Sequence, residues 1–120
     1  MHKLKELVLE KLKENDARWF YHLYNGDLDE VYYEDEDEQD EHVKAVRQAF
    51  KDGSVKHAYY FNGGDGNDLI ICVKIKFDKD DVMFVQIEGT YSSWDSNYFH
   101  EVYEAEPYKY TETRYKKKVS

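Results

Sequence analysis

LIICVKIKFDKDDVMFVQIEG, residues 69 to 89, is the stretch whose reading decides the fold. Leu69, Ile71, Val73, Ile75 and Phe77 alternate with Lys74 and Lys76. After the turn DKDD the same period of two returns in Met83, Val85 and Ile87. A period of two places one set of side chains on one face of a strand. The stretch therefore predicts two antiparallel strands at the centre of a sheet, one face turned to a core. Cys72 lies inside the first run and is the only cysteine, so it forms no internal disulfide and reads as a small buried hydrophobe.

Working outward, VKHAYYF (55–61) predicts a third strand, NGGDGND (62–68) a loop, and YKYTETRYKKKV (108–119) a final strand whose lysines suit a sheet edge. SSWDSNYFHEVYEAEP (92–107) reads as a long connection ending at the only proline. Leu4, Val8 and Leu12, with Leu7, recur at helical spacing and predict a surface helix over about residues 2 to 15. Val43, Val46 and Phe50, with Ala45 and Ala49, predict a second helix stopped at Gly53. Between the helices, RWFYHLY (18–24) and LDEVYYE (28–34) are rich in strand formers and flank Asn25-Gly26, a strong hairpin signal. The expected architecture is α+β: one domain over 1–120, an antiparallel sheet of about five strands, and two helices packed on one face.

At 120 residues the chain has room for one core and not two. Aromatics make up 17% of it, twelve of them Tyr, so much of the apolar area comes from rings with polar tips. No apolar run approaches the roughly 20 residues of a membrane helix, and MHKLKELVLEKLKEN lacks the apolar core of a signal peptide. A cytoplasmic location is expected.

The formal net charge is −9, and it is concentrated. YYEDEDEQDEH (32–42) sets seven carboxylates in the eight positions from Glu34 to Glu41. Residues 27 to 41 hold ten acids and no Lys or Arg, a local −10, which leaves sixteen acids against seventeen bases elsewhere, or +1. That balance argues against direct nucleic-acid binding, which requires clustered Lys and Arg, and against an anionic membrane surface.

No catalytic constellation stands out. The five histidines are scattered without metal-ligand spacing, and Ser92, Ser93 and Asp95 lack the glycines of a nucleophile elbow. GGDGNDLII (63–71) fits the calcium-binding nonapeptide pattern once. Such repeats bind Ca²⁺ by stacking, and Asp65, Asn67 and Asp68 supply only part of a shell of six to eight oxygens. The simpler reading is a turn with glycines at positive φ. No cofactor is expected. A second candidate contact surface is the stretch 91–99, where Tyr91, Trp94, Tyr98 and Phe99 are interleaved with small polar residues, as in protein-contact loops; the alternative is a lid packing its own aromatics.

The acidic run has two readings as well. Glu38, Asp40 and Glu41, at the start of the second helix, would each gain about 0.3–1 kcal/mol from its dipole. The acids Glu34, Asp35, Glu36 and Asp37 repel one another and need another reason. Extended carboxylates approach the linear charge density of a DNA strand, and Tyr24, Tyr32 and Tyr33 add contact area. The run would compete with nucleic acid for a basic groove on another protein.

The order of segments in the C-terminal half resembles small acidic proteins of tailed bacteriophages: Gly63, Gly64, Asp65 and Gly66, a strand pair, G-x-Y-S-S from Gly89 to Ser93, V-Y-E-A-E-P from Val102 to Pro107, and a Tyr-rich last strand. The resemblance covers about residues 60 to 115. It implies an accessory protein acting on a host component, as anti-restriction and anti-CRISPR proteins do, and no catalytic residues. The acidic run lies outside it. The functional expectation is a non-enzymatic inhibitor of a basic nucleic-acid-handling protein. The alternatives are a divalent-cation domain, or a salt-dependent homo-oligomer in which the acidic run meets the Arg114–Lys118 strand.

Overall fold

The computed structural model describes residues 3–27, 41–92, 98–108 and 114–119. In chain order these form α1 (Lys3–Lys13), α2 (Ala17–Asn25), α3 (Glu41–Lys51), β1 (Val55–Asn62), β2 (Asp68–Asp78), β3 (Asp81–Thr90), β4 (Tyr98–Tyr108) and β5 (Arg114–Lys117). The strands make one antiparallel sheet in the order β1-β2-β3-β4-β5. The expected α+β class and central hairpin are as read. The register pairs Ile71 with Ile87, Val73 with Val85 and Ile75 with Met83. One sheet face is thereby lined by the alternating apolar row.

That row is the floor of the core. Leu4 and Val8 from α1, Phe20 and Leu23 from α2, and Val46 and Ala49 from α3 pack with it in one cluster that also takes in Val102 of β4. Each large apolar side chain so buried contributes about 1.5–3 kcal/mol.

Two expectations fail here. Residues 18–24 were expected as a strand and are the body of α2. Asp16 caps the helix, its Oδ1 accepting from the Trp19 N–H at 3.1 Å, and Ala17, Phe20 and Leu23 repeat at helical spacing into the core. Asn25-Gly26 is a helix exit rather than a hairpin turn, with Gly26 at φ 74° and ψ 22°. Both structures need a left-handed residue, so the dipeptide alone did not distinguish them. The paired strand expected at 28–34 lies outside the described residues.

The second failure is β4. Residues 98–107 were expected within a long connection and Tyr108 in the final strand; together they form one eleven-residue strand. Its alternation is hidden by a bulge, because Glu88 pairs with Glu101 while Gly89 pairs with Phe99, leaving His100 extra.

The three helices among the described residues close in the same way. Asn15, Gly26 and Gly53 are left-handed, with φ of 55°, 74° and 73°. The N–H of the next residue reaches back to a carbonyl five positions earlier: Asp16 to Lys11 at 3.0 Å, Asp27 to His22 at 3.0 Å, and Ser54 to Ala49 at 2.9 Å. Asn15 adds a tie to the sheet, its Oδ1 accepting from the Val102 N–H at 3.3 Å.

Gly89 sits where the bulge brings β4 closest. A Cβ there would run into the Tyr98 carbonyl oxygen and lie 3.0 Å from the Phe99 Cα. Gly89→Ala should cost about 1–3 kcal/mol by overpacking against backbone, lowering Tm by roughly 4 °C per kcal/mol in a thermal melt. Asp16→Ala should cost about 1 kcal/mol through the lost cap. A Gly89→Ala protein melting with wild type would show that the β3–β4 approach is looser than described.

Candidate functional site

Of the acidic run, Glu34, Asp35, Glu36, Asp37, Glu38 and Asp40 lie outside the described residues, as do Tyr32, Tyr33 and Trp94. Glu41, its last member, opens α3 with its side chain 72% exposed, and its carboxylate lies 3.3 Å from the Lys3 ammonium. Lys3 also reaches Glu6 at 3.5 Å, and Glu6 lies 3.5 Å from His42. Hydrogen bonding to Glu41 and the charge of Glu6 raise the Lys3 pKa. The N-terminal turns of α1 and α3 are thus laced together by charge.

Tyr24 is not a free flank of the run. It packs against the core cluster and stacks on His57, with ring centroids 3.8 Å apart and planes 14° apart. The His57 Nε2–H donates to the Tyr24 carbonyl oxygen at 2.8 Å. This pair ties α2 to β1.

The aromatic stretch 91–99 divides. Tyr91 and Phe99 pack against the core, Phe99 meeting Tyr21 at 4.8 Å. Tyr98, 66% exposed, begins β4 and meets His100 edge-on at 4.7 Å. Tyr98 and Phe99 therefore stand on a strand, not in the loop expected for them.

The glycine loop is closed by its own bonds. Gly64 and Gly66 have positive φ, of 96° and 76°, as the turn reading requires. The Asn67 side-chain amide donates to the Gly63 and Asp65 carbonyl oxygens at 3.1 and 3.4 Å, and the Gly66 N–H donates to the Tyr91 carbonyl oxygen at 3.0 Å. Among the described residues no three His, Cys, Asp or Glu converge as a metal would need, and no helix is long and apolar enough to cross a membrane. Lys117 and Lys118 of the last strand and its exit lie 3.6 Å from Glu101 and 2.6 Å from Glu104, so these cations bind their own sheet.

The second sheet face carries Cys72, Gln86 and Ala105, all buried. Phe84 and Tyr115 meet there with centroids 5.2 Å apart, and the Gln86 amide donates to the Tyr103 hydroxyl at 2.6 Å. Burial pushes the Cys72 thiol up to about 12. Burial, then the nearby Glu88 carboxylate, pushes the Tyr103 phenol up to about 12. Cys72 is thus a packed hydrophobe with no thiolate character.

Sequence reading missed a groove where α1, α3 and the start of β1 meet the end of β2. Its volume is about 600 Å³. Leu4, Ala45, Ala49 and Phe77 give it apolar walls, and Lys44, Lys76 and Gln48 give it polar ones. A smaller hollow of about 330 Å³ adjoins it through Asp52, Ser54 and Lys76, and adds Lys56 and Lys79. Asp52 accepts from the Ser54 N–H at 2.9 Å and from its hydroxyl at 2.5 Å, bonds that hold the Asp52 carboxyl below its usual range. The only signal in the sequence was the outward lysines of the central strand, whose companions come from three other elements.

No protein-family model matches the chain, and neither a curated protein nor a solved structure matches it.

Cys72 and Tyr103 both hold their protons more tightly folded than their reference values of 9.0 and 10.0. Above those values the unfolded chain binds fewer protons, so stability is intact below pH 9 and falls as pH rises toward about 12. Cys72→Ala should flatten the slope of denaturation midpoint against pH in that window. Ellman's reagent should find no thiol in the folded protein and one in denaturant; rapid reaction of the folded protein would contradict the burial.

Proposed function

We propose that this chain is a non-enzymatic interaction protein that binds a basic, nucleic-acid-handling protein of a host cell through Glu34–Glu41 and blocks its access to DNA or RNA in the cytoplasm. One observation carries the reading: residues 27–41 bear −10 while the rest of the chain sums to +1. Outside the run several acids have a base beside them, as in the pairs Lys5–Asp81 at 2.6 Å, Lys11–Glu14 at 3.5 Å and Lys118–Glu104 at 2.6 Å. The run departs from that economy of charge. Glu41 supports it from the folded side, since this end of the run is fixed to α1 through Lys3. A charged segment anchored to a folded body presents its carboxylates from a defined place, which favours fast and salt-sensitive association. The resemblance of residues 60–115 to phage accessory proteins points toward an anti-defence role.

The test is an affinity capture from nuclease-treated bacterial lysate, using wild type and a variant with Glu34→Gln, Asp35→Asn, Glu36→Gln, Asp37→Asn and Glu38→Gln. Wild type should retain a basic nucleic-acid-binding protein, release it at high salt, and compete with DNA for it; the variant, folded by circular dichroism, should not. Equal retention by both proteins at low salt would overturn the proposal.

A further inference from the structure

In a chain of net charge −9 an exposed lysine finds acids close at hand, and Lys3, Lys5, Lys11, Lys117 and Lys118 are all ion-paired. Lys44, Lys56, Lys76 and Lys79 differ. Among the described residues none of the four makes an ion pair, and all four line the groove between α1, α3 and β2 or its adjoining hollow. The acids of the same surface are already occupied. Asp52 holds Ser54, Asp78 accepts the Lys79 N–H at 2.8 Å, and Glu41 is matched by Lys3. Those hydrogen bonds leave the charges of Asp52 and Asp78 in place, so the lining of groove and hollow sets five lysines (Lys3, Lys44, Lys56, Lys76 and Lys79) against three carboxylates (Glu41, Asp52 and Asp78), a net +2 in a chain of −9.

The concavity has a second character. Leu4, Ala49 and Phe77 are buried, with Ala45 beside them, and they form an apolar wall under the lysine rim. Its volume of about 600 Å³ falls within the 300–1,000 Å³ typical of small-molecule sites, which pair apolar lining with a few placed polar groups. Lysines act there as flexible point charges suited to phosphate.

We propose that this groove binds a phosphorylated small molecule with an apolar body, the body against Leu4, Ala45, Ala49 and Phe77 and the phosphates against Lys44 and Lys76. A longer phosphate chain would extend into the hollow toward Lys56 and Lys79. The proposal is independent of the acidic run, because each residue it uses lies outside 34–38.

The test is a titration of the ¹⁵N-labelled protein, followed by amide shifts, with three probes in EDTA: adenosine triphosphate, inorganic triphosphate and adenosine. Adenosine triphosphate should shift amides around Lys44, Gln48, Ser54 and Lys76 and bind more tightly than either of the others. Lys44→Gln with Lys76→Gln should weaken it by about tenfold or more, while Lys13→Gln, on the far end of α1, should not. Both variants change exposed side chains, so the fold should persist and the spectrum reports whether it does. The run-neutralised variant should bind the nucleotide as wild type does, which separates this result from the partner-binding test. Absence of groove shifts with all three probes, or equal affinity for inorganic triphosphate, would overturn the proposal. So would tighter binding of polyglutamate than of the nucleotide, which would make the groove a peptide surface.

Discussion

Everything in this molecule is arranged around the inward row of the central hairpin. Ile71 faces Ile87, Val73 faces Val85 and Ile75 faces Met83, and each of these side chains is at least nine-tenths buried. A two-residue period leaves the register no freedom, because a slip by one residue would turn the row to the opposite face and bring lysines inward. With the row fixed, α1, α2 and α3 have one apolar surface on which to close, and Leu4, Phe20 and Val46 are the residues that reach it. β1 and β4 then extend the sheet on either side, each through a bulge that adjusts strand to neighbour, at His57–Tyr59 and at Glu88–Gly89.

The hairpin was legible because its signal is local and redundant: eight apolar positions, five from Leu69 to Phe77 and three from Met83 to Ile87, keep one period. The segment from Arg18 to Tyr24 misleads because composition and spacing disagree. Trp, Phe and Tyr favour strands, but the helical spacing of Ala17, Phe20 and Leu23, a capping Asp16 and an exit glycine together outweigh a propensity scale spanning about 1 kcal/mol. β4 was obscured for another reason. An extra residue at His100 reverses the alternation halfway, and Glu101, Glu104 and Glu106 resemble a solvated connection until the lysines of the last strand are placed beside them.

The site was less legible than the fold. A charge run is contiguous in sequence, so the acidic segment is visible at once. The groove is assembled from α1, α3, β1 and β2, and its lysines at 44, 56, 76 and 79 have no common spacing. Only tertiary structure brings them together, where with Lys3 they meet three carboxylates, Glu41, Asp52 and Asp78. Tyr24 illustrates the converse. Its position before the run suggests a contact residue, and only the structure shows that its stacking on His57 makes it part of the joint between α2 and the sheet.

Charge is the quantity that connects these features. Five lysines and their acids cross-link the helices and strands, and exposed pairs of this kind contribute little stability each. Outside 27–41 the formal charges of the body sum to +1. Against that body the acidic run stands out, and the groove, with five lysines to three carboxylates in its lining and its hollow's, has the opposite sign; Glu41 ends the one and lines the other. At physiological salt the Debye length is about 8 Å, so only charges near that junction act on both. Glu41 is the residue where the two surfaces are coupled, and its pairing with Lys3 reduces that coupling.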